Sequence, residues 1–383
     1  MLGKELETLN SLLIKVAKSC TVPAGHALAI DRTQFSQKIT ETLLIHPNIR
    51  IIRQEITTIP TSSTIIASGP LTSVHLTEAI KQLTGYENLF FFDAIAPIIE
   101  FDSINMNVAF RGSRYGRGIN EEGDYINCPF DKSSYEYFID NLIHAERVEL
   151  HNFEKEINTG VRVGNGKYFE GCLPIEIMAQ RGINTLAFGP LRPVGLTNPY
   201  DNNRPFAVVQ LRQDNIGGNL FNIVGFQTNL KYSEQKRVFR LIPGLEKAEF
   251  ERYGQMHRNT FINSPFILNK YLQLMNLPNL SFCGQITGVE GYLANIASGL
   301  FVGINSARKL LGQDLINFPR TTMIGALMNY VITIPLKNFQ PMKANFGILP
   351  ALEDSIRPKR EKHQVYSNRA IKDLTVFLRN NEI

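Results

Sequence analysis

Tryptophan is absent from this sequence of 383 residues, and cysteine is scarce. The four cysteines lie far apart, at Cys20, Cys128, Cys172 and Cys283, and no two of them form a Cys-x-x-Cys pair. This spacing argues against a disulfide framework and against a zinc site. We therefore expect no metal, and we expect a protein of the cytoplasm, where thiols stay reduced.

Long apolar runs are also missing. No stretch of about 18 consecutive apolar residues occurs, so we expect no transmembrane helix. Residues 1–20 alternate charged and apolar side chains at helical spacing, which is unlike a secretory signal peptide. A membrane partner is therefore not expected.

The composition is otherwise that of an ordinary globular protein, with 43% hydrophobic and 20% charged residues, and the length predicts two or three domains. The net charge of +5 and the isoelectric point of about 8.9 allow an RNA partner held through phosphate contacts. Solvated lysines alone would give the same charge balance. The 24 phenylalanines and 13 tyrosines could supply surfaces on which bases stack.

The most informative stretch runs from Leu280 to Leu311. It starts as an apolar strand, breaks at Gly284, Gly288 and Gly291, and continues as a helix with small residues on one face. A glycine-rich turn between a strand and a helix presents free N–H groups and a positive helix end to a ligand. Ordinary strand–turn–helix packing can use the same pattern.

Other elements follow from periodicity and caps. Residues 2–20 predict one amphipathic helix, and Asp31 predicts the cap of a second helix that ends near Leu44. Alternation predicts a strand over 49–56. The apolar run 64–67 predicts a strand that ends in Ser-Gly-Pro, and open α/β sheets bind ligands at such carboxyl ends.

The predicted secondary structure changes after residue 90, where strands and turns alternate with short helices. Two β-rich runs, 206–211 and 220–226, flank the turn residues 214–219 and predict a hairpin. Cys172 precedes a predicted helix that Pro174 begins, and a thiol beside a helix N-terminus is favoured as the thiolate. A lone cysteine is, however, more often a small buried hydrophobic residue.

Eight segments together resemble the folate- and FAD-dependent tRNA (uracil-5-)-methyltransferases, a family related to the glucose-inhibited-division flavoproteins. The resemblance covers nearly the whole chain. The segments are residues 22–25 (VPAG), 27–32 (ALAIDR), 64–73 (TIIASGPLTS), 169–174 (FEGCLP), 208–215 (VVQLRQDN), 256–265 (MHRNTFINSP), 284–292 (GQITGVEGY) and 337–342 (KNFQPM).

The resemblance implies an α/β protein in which a Rossmann-like FAD-binding domain, truncated at its N-terminus, holds an inserted α+β substrate domain. The implied boundaries are 1–90 and 256–350 for the two parts of the FAD-binding domain and 91–255 for the substrate domain. Residues 351–383 form a basic C-terminal tail, for which a solvated helix is favoured over a dedicated RNA contact.

The implied activity is formation of 5-methyluridine in the T-loop of tRNA. A cysteine adds to C6 of the uridine, and the methylene of 5,10-methylenetetrahydrofolate passes by way of reduced FAD to C5. NAD(P)H is the implied reductant. The alternatives are the same chemistry on a ribosomal RNA uridine and a non-catalytic RNA- or folate-binding paralogue; a flavin oxidoreductase acting on a small molecule is disfavoured.

The resemblance also assigns site residues. Cys172 matches one of the two functional cysteines of the family and is the implied nucleophile. Tyr232, Arg258 and Asn259 are implied contacts for folate or RNA. The implied flavin contacts are Gly284, Gln285, Gly288, Glu290, Gly291 and Tyr292, with Ala297, Ser298 and Gly299 as weaker candidates.

The sequence departs from the family at several positions. Asn229 and Asn329 stand where the family commonly has His, and Lys343 stands where it has Asn. The strand and Gly-x-Gly-x-x-Gly loop that open the family do not occur. A start assigned too late or a degraded gene product would explain this better than a genuine shorter paralogue.

Overall fold

The computed structural model describes residues 1–25, 27–86, 89–118, 120–148, 173–335, 339–353 and 356–382. The chain divides into two compact units. The first unit comprises residues 1–15, 51–91 and 258–383, and the second comprises 16–50 and 92–257.

The helices, in chain order, are α1 Leu2–Thr8, α2 Leu12–Lys18, α3 Arg32–Leu44, α4 Val74–Thr84, α5 Lys132–His144, α6 Ile175–Ala179, α7 Thr185–Phe188, α8 Tyr232–Phe239, α9 Ser264–Ile267, α10 Tyr292–Leu310, α11 Met323–Thr333 and α12 Lys359–Asn381. The strands are β1 Thr21–Val22, β2 Ala29–Ile30, β3 Thr64–Ile66, β4 Leu89–Ala94, β5 Ile98–Glu100, β6 Phe110–Gly112, β7 Tyr125–Phe130, β8 Ala207–Gln213, β9 Leu220–Ile223, β10 Phe250–Arg252, β11 Met256–Phe261, β12 Gln273–Leu274, β13 Leu277–Phe282, β14 Val289–Glu290 and β15 Met342–Lys343.

The first unit is built around a sheet in the order β12-β13-β3. β13 runs parallel to β3, with Leu280 opposite Thr64 and Phe282 opposite Ile66. Helices α10 and α11 contribute apolar side chains to the same core, and α12 adds one buried face to it. The C-terminal segment is therefore a helix, as expected, and one narrow buried face packs on the core while the rest of the helix contacts solvent.

A buried carboxylate joins two helices of the first unit. Glu5 of α1 accepts hydrogen bonds from the backbone N–H groups of Met323, at 2.8 Å, and Ile324, at 3.0 Å, in the first turn of α11. Burial raises the pKa of Glu5 although these two bonds act in the opposite direction. The carboxylate thus satisfies N–H groups that the helix itself leaves unpaired.

The second unit contains a six-stranded antiparallel sheet in the order β10-β5-β9-β8-β7-β6. The predicted hairpin is confirmed, since β8 pairs with β9 through Leu211–Ile223 and Gln213–Phe221. Aromatic side chains from α5, α8 and the sheet belong to the core of this unit, in which Phe138 and Phe226 lie at a centroid distance of 6.1 Å. The mixed helix and sheet content confirms the predicted α/β class.

The N-terminal region differs from two expectations. The single helix predicted over 2–20 is two helices, α1 and α2, because Asn10 adopts a left-handed conformation with φ of 57°. The strand predicted over 49–56 is wrong: this segment has no strand, and the Ile52 side chain is 59% exposed. Alternation alone does not supply a partner strand.

The cap predicted at Asp31 is confirmed, because its carboxylate accepts a hydrogen bond from the Gln34 N–H at 3.0 Å. Residues 16–50, which the sequence placed with the first segment, cluster with the second unit. The assignment of FAD-binding and substrate roles to the segments stays a prediction. Among the described residues, every helix is too short or too polar to span a lipid bilayer.

Candidate functional site

The parallel strands β3 and β13 end at one edge of the first unit's sheet. Their register brings the turn after Ile66 beside the turn after Phe282, and the Cys283 N–H donates to the Ile66 carbonyl at 3.0 Å. The Thr260 N–H of β11 donates to the Pro70 carbonyl at 2.8 Å and fixes the first of these turns. Carboxyl ends of adjacent parallel strands are the usual ligand site of α/β sheets.

The turn after β13 is locked to helix α10. The Gly284 N–H donates to the Ser298 hydroxyl at 3.0 Å, and the Thr287 hydroxyl donates to the Gly284 carbonyl at 2.8 Å. Gly284 has φ of 76° and ψ of −159°, a conformation that is essentially restricted to glycine. A Cβ atom at Gly284 would meet no atom within 4 Å, so the backbone there borders open space.

Gly288 has a different role, which is packing. Its φ is 83°, and a Cβ atom built on it would lie 2.8 Å from Cζ of Phe339. Gly288 therefore lets the ring of Phe339 close over the turn. This contact gives a structural reason for the glycine, alongside its predicted place in the flavin site.

Two polar side chains bridge the turn. Gln285 donates a hydrogen bond from Nε2 to Oε2 of Glu290 at 2.9 Å, and Glu290 is buried. β14, which ends at Glu290, pairs in parallel with β15, with Glu290 opposite Lys343. The predicted contacts Gln285 and Glu290 thus stiffen the turn through a direct bond with one another.

Helix α10 presents its predicted residues in different directions. Tyr292, its first residue, is 88% exposed, and a Cβ atom at Gly299 would meet no atom within 4 Å. Ala297 and Ser298 are completely buried. Ala297 belongs to the core, whereas Ser298 holds Gly284 in place.

Two asparagines that the sequence analysis did not select also lie along this turn. Asn263 follows Ile262, whose N–H donates to the Ile286 carbonyl at 2.7 Å, and precedes Ser264, whose hydroxyl donates to the Thr287 carbonyl at 2.9 Å. Asn295 lies in the first turns of α10, where its N–H donates to the Gly291 carbonyl.

The Oδ1 atoms of Asn263 and Asn295 are buried, and neither has a hydrogen-bond partner among the described residues. Buried acceptors are rarely left unpaired, so N–H or O–H donors of a bound molecule would satisfy them. A flavin ring N–H and ribityl hydroxyls are donors of this kind, and the residues present therefore fit FAD. A polar residue on the small-residue face of α10 was the available sequence signal.

The remaining predicted residues of the first unit lie on β11. Asn259 is buried, and only the backbone of Arg258 is described. The structure places both on the strand that holds the Pro70 turn through Thr260. Their roles toward folate or RNA stay predictions.

Tyr232 lies in the second unit, as the first residue of α8. Its ring stacks on Tyr253 at a centroid distance of 4.9 Å and an angle of 17°, and Tyr253 stacks in turn on Phe250 at 5.1 Å. The Tyr232 hydroxyl accepts a hydrogen bond from Gln255 Nε2. The Tyr232 side chain is held by these contacts while the residue is 48% exposed, which suits a stacking role.

Cys172 lies outside the described residues, and the segment that follows it is firmly held. The Ile175 N–H of α6 donates to the Gln227 carbonyl at 2.7 Å. The buried carboxylate of Glu176 accepts hydrogen bonds from the Thr228 hydroxyl at 2.9 Å and the Asn229 N–H at 2.8 Å. Sequence reasoning missed Glu176, since nothing in its pattern distinguishes it from a solvated glutamate.

Asn229 has a second connection. Its Nδ2 donates to the Val148 carbonyl at 3.1 Å, and the Val148 N–H donates back to the Asn229 carbonyl at 2.9 Å. Burial raises the pKa of Glu176 despite the hydrogen bonds that favour its charged form. Residues 227–229 therefore hold both Val148 and the start of α6.

The other cysteines are poor candidates for a nucleophile. Cys20, Cys128 and Cys283 are all buried. Burial raises the pKa of Cys283 to about 11, and burial, followed by the nearby Glu246, raises the pKa of Cys128 as well. The thiolate forms of Cys128 and Cys283 are therefore disfavoured at neutral pH.

Comparisons with known proteins agree with the resemblance. Residues 1–314 match the family model for glucose inhibited division protein A. The chain is 54% identical over 379 residues to the methylenetetrahydrofolate–tRNA-(uracil-5-)-methyltransferase TrmFO of Natranaerobius thermophilus, covering 99% of this chain and 84% of the relative. The protein of the same name from Bacillus subtilis is 50% identical over 374 residues, covering 98% of this chain and 83% of the relative.

A solved structure shares the fold at lower sequence similarity. GidA of Aquifex aeolicus, in its form II crystal, superimposes with a TM-score of 0.62 at 14% identity. The superposition covers 86% of this chain and 58% of the GidA chain. At this identity the similarity shows the fold alone.

Proposed function

Because this chain belongs to the glucose inhibited division protein A family, and within it to the TrmFO methyltransferases, we propose that it methylates uridine at C5 in the T-loop of tRNA. The one-carbon donor is 5,10-methylenetetrahydrofolate, the cofactor is FAD and the reductant is NAD(P)H. The observation that carries the proposal is the 54% identity over 379 residues with a relative of that name. The cytoplasm is the compartment that this substrate implies.

We propose that FAD binds at the edge formed by the ends of β3 and β13. When bound, FAD supplies the redox chemistry that carries the one-carbon unit and reduces it. The chain's own residues bind and orient it there. The open backbone at Gly284 admits a close approach, Ser298 fixes that backbone, and the free Oδ1 atoms of Asn263 and Asn295 accept hydrogen bonds.

Cys172 is the proposed nucleophile. Its thiolate forms a bond to C6 of the uridine, and the displaced π electrons move onto the C4 carbonyl oxygen, which makes C5 nucleophilic. After C5 has taken up the methylene, loss of the C5 proton releases the one-carbon carrier and leaves an exocyclic methylene; addition of a hydride, which originates from NAD(P)H, then converts it to the methyl group, expels the Cys172 thiolate and restores the ring. The contacts at Ile175 and Glu176 support this role because they fix the chain directly after Cys172.

The test starts from the purified 383-residue chain. We expect it to bind FAD, seen as a flavin absorption band, and to transfer label from methylene-labelled folate to a tRNA transcript when NADPH is supplied. Ribosomal RNA serves as the competing substrate. Label in ribosomal RNA alone would refute the tRNA assignment, and salt-sensitive RNA binding with neither flavin nor transfer would favour the non-catalytic alternative.

Cys172→Ala tests the nucleophile directly. We expect it to retain FAD binding and to lose methyl transfer to below detection, because the proposal assigns the bond to C6 to the Cys172 thiolate. Cys20→Ala is the matched control, since it removes a buried thiol from the same unit. Methyl transfer by Cys172→Ala at the rate of the Cys20→Ala variant would show that Cys172 is not the nucleophile.

A further inference from the structure

An exposed tyrosine in the second unit has an unusual backbone. Tyr115 lies just after β6, with φ of 58°, and it is 63% exposed. A left-handed conformation costs a side-chain-bearing residue about 1 kcal/mol or more, so neighbouring contacts must hold it. Strained residues of this kind often occur at binding sites.

Contacts from a second loop hold Tyr115 in place. Its N–H donates to the Gly195 carbonyl at 2.8 Å, and a Cβ atom on Gly195 would lie 2.9 Å from the tyrosine ring. The preceding Arg114 is half-buried and donates from Nε to Gln210 Oε1 at 2.9 Å and from Nη1 to the Val194 carbonyl at 3.2 Å. The ring is therefore kept at the surface by a fixed backbone.

Positive charge is concentrated around this ring. The guanidinium of Arg117 lies 5.5 Å from the Tyr115 ring centroid, which is within range of a cation–π contact. Arg114 donates from Nη1 to the Arg192 carbonyl at 2.5 Å, which places Arg192 on the adjoining segment; burial, and next the charge of Arg192, lower the pKa of Arg114. We name Arg114, Tyr115, Arg117 and Arg192 the Tyr115 patch.

Two acidic side chains of the neighbouring loop, Glu122 and Asp124, have partners outside the patch. Asp124 is buried, and its carboxylate accepts hydrogen bonds from the backbone N–H groups of Gly25 and Asn120. Glu122 approaches Arg111 at 4.0 Å, and Arg111 is outside the patch. The patch therefore places the guanidinium of Arg117 against one held aromatic ring, with Arg192 on the adjoining segment, and this arrangement suits an anion attached to a flat ring.

We propose that the Tyr115 patch binds RNA, with an unpaired base stacked on Tyr115 and backbone phosphates against Arg117 and Arg192. Proteins recognise unpaired nucleotides by stacking them on aromatic rings and pairing their phosphates with arginine. The held ring loses little freedom on binding, which favours affinity. The proposal rests on the proposed function, because tRNA is the RNA it would take.

Fluorescence anisotropy with a labelled tRNA transcript tests the proposal. Tyr115→Gly removes the ring and keeps the left-handed backbone without strain, and we expect it to bind tRNA about tenfold more weakly. Tyr115→Phe keeps the stack, and its Kd stays within about twofold of the original. Arg117→Ala should weaken tRNA binding about threefold or more. It should also reduce the slope of log affinity against log salt concentration by about one, because about one fewer counterion is released on binding.

The controls come from α5 of the same unit. Tyr137 is 61% exposed and Lys132 is an exposed cation, and Tyr137→Ala and Lys132→Ala should leave the Kd for tRNA unchanged. Equal tRNA binding by Tyr115→Gly and Tyr137→Ala would overturn the proposal. The proposal would also be overturned if Tyr115→Gly lost affinity for 5-formyltetrahydrofolate, measured by calorimetry, while its binding of tRNA stayed intact. If the unaltered chain binds no tRNA, the proposed function fails together with the patch.

Discussion

The contribution of the buried Glu176 side chain to stability can be tested directly, because the hydrogen-bond partners of both its oxygens are identified. The carboxylate is buried and accepts one hydrogen bond from the Thr228 hydroxyl and one from the Asn229 N–H. Glu176→Ala leaves both donors buried without an acceptor. Each such group costs about 1–3 kcal/mol, so we expect a loss of about 2–6 kcal/mol in the free energy of unfolding.

Glu176→Gln separates the charge from the shape. The amide oxygen can still accept from the Asn229 N–H, and we expect a loss of about 1 kcal/mol at acidic pH. Burial raises the pKa of Glu176 in the folded protein above its ordinary value of 4.5. Stability from this carboxyl is therefore fully present below that ordinary pKa and is lost as pH rises through the folded pKa.

The free energies of unfolding of the unaltered protein and of Glu176→Gln should therefore differ by an amount that depends on pH. The unaltered protein loses stability from this group on the alkaline side, whereas the glutamine variant has no proton to release. Urea unfolding of both proteins between about pH 5 and pH 8 should show the gap between them shrinking as pH rises. Glu136→Gln, on the exposed face of α5, is the control and should change stability by no more than about 0.5 kcal/mol. A gap that widens with pH would refute the argument.

Two further predictions concern glycine and cysteine. Gly288→Ala should lower the free energy of unfolding by about 2–4 kcal/mol, because it adds both a left-handed alanine and a clash with Phe339. Gly312 has φ of 70° and open space around it, so Gly312→Ala should lower it by only about 1 kcal/mol in the same urea assay. Equal losses in the two variants would exclude the clash. In a thiol titration of the native protein, at most one of the four cysteines should react rapidly, because Cys20, Cys128 and Cys283 are buried, and all four should react in urea. Two or more fast thiols would contradict this burial, and Cys172→Ala should remove the fast one.

The elements that could be predicted are those whose signals are local. The Asp31 cap acts on a residue three positions away, and the β8–β9 hairpin is closed by its own turn residues. The strand and helix around Gly284 are marked by a change from an apolar run to helical spacing. Each of these signals depends on neighbouring residues, which the sequence displays directly.

The features that could not be predicted are those that depend on contacts between distant residues or on a single backbone angle. Asn10 interrupts the first helix by adopting φ of 57°, and no pattern in residues 2–20 specifies this. The isoleucines of 49–56 alternate like a strand, but a strand needs a partner. Glu176 became visible only when the fold brought Thr228 and Asn229 to it, and the unpaired oxygens of Asn263 and Asn295 likewise depend on tertiary burial.

The segments of the first unit are separated in sequence by most of the second unit, which delays folding of the first unit during synthesis. Residues 64–66 leave the ribosome early, yet their partner strand ends at Phe282 and belongs to the last part of the first unit. At about 5–20 residues per second, β3 waits for roughly 10–40 s before it can pair. Throughout that interval the second unit can complete itself, while the nascent first unit exposes unpaired strand and apolar side chains. Chaperone demand during translation should therefore concentrate on residues 51–91 and persist until helices α10, α11 and α12, which complete the same core, have emerged.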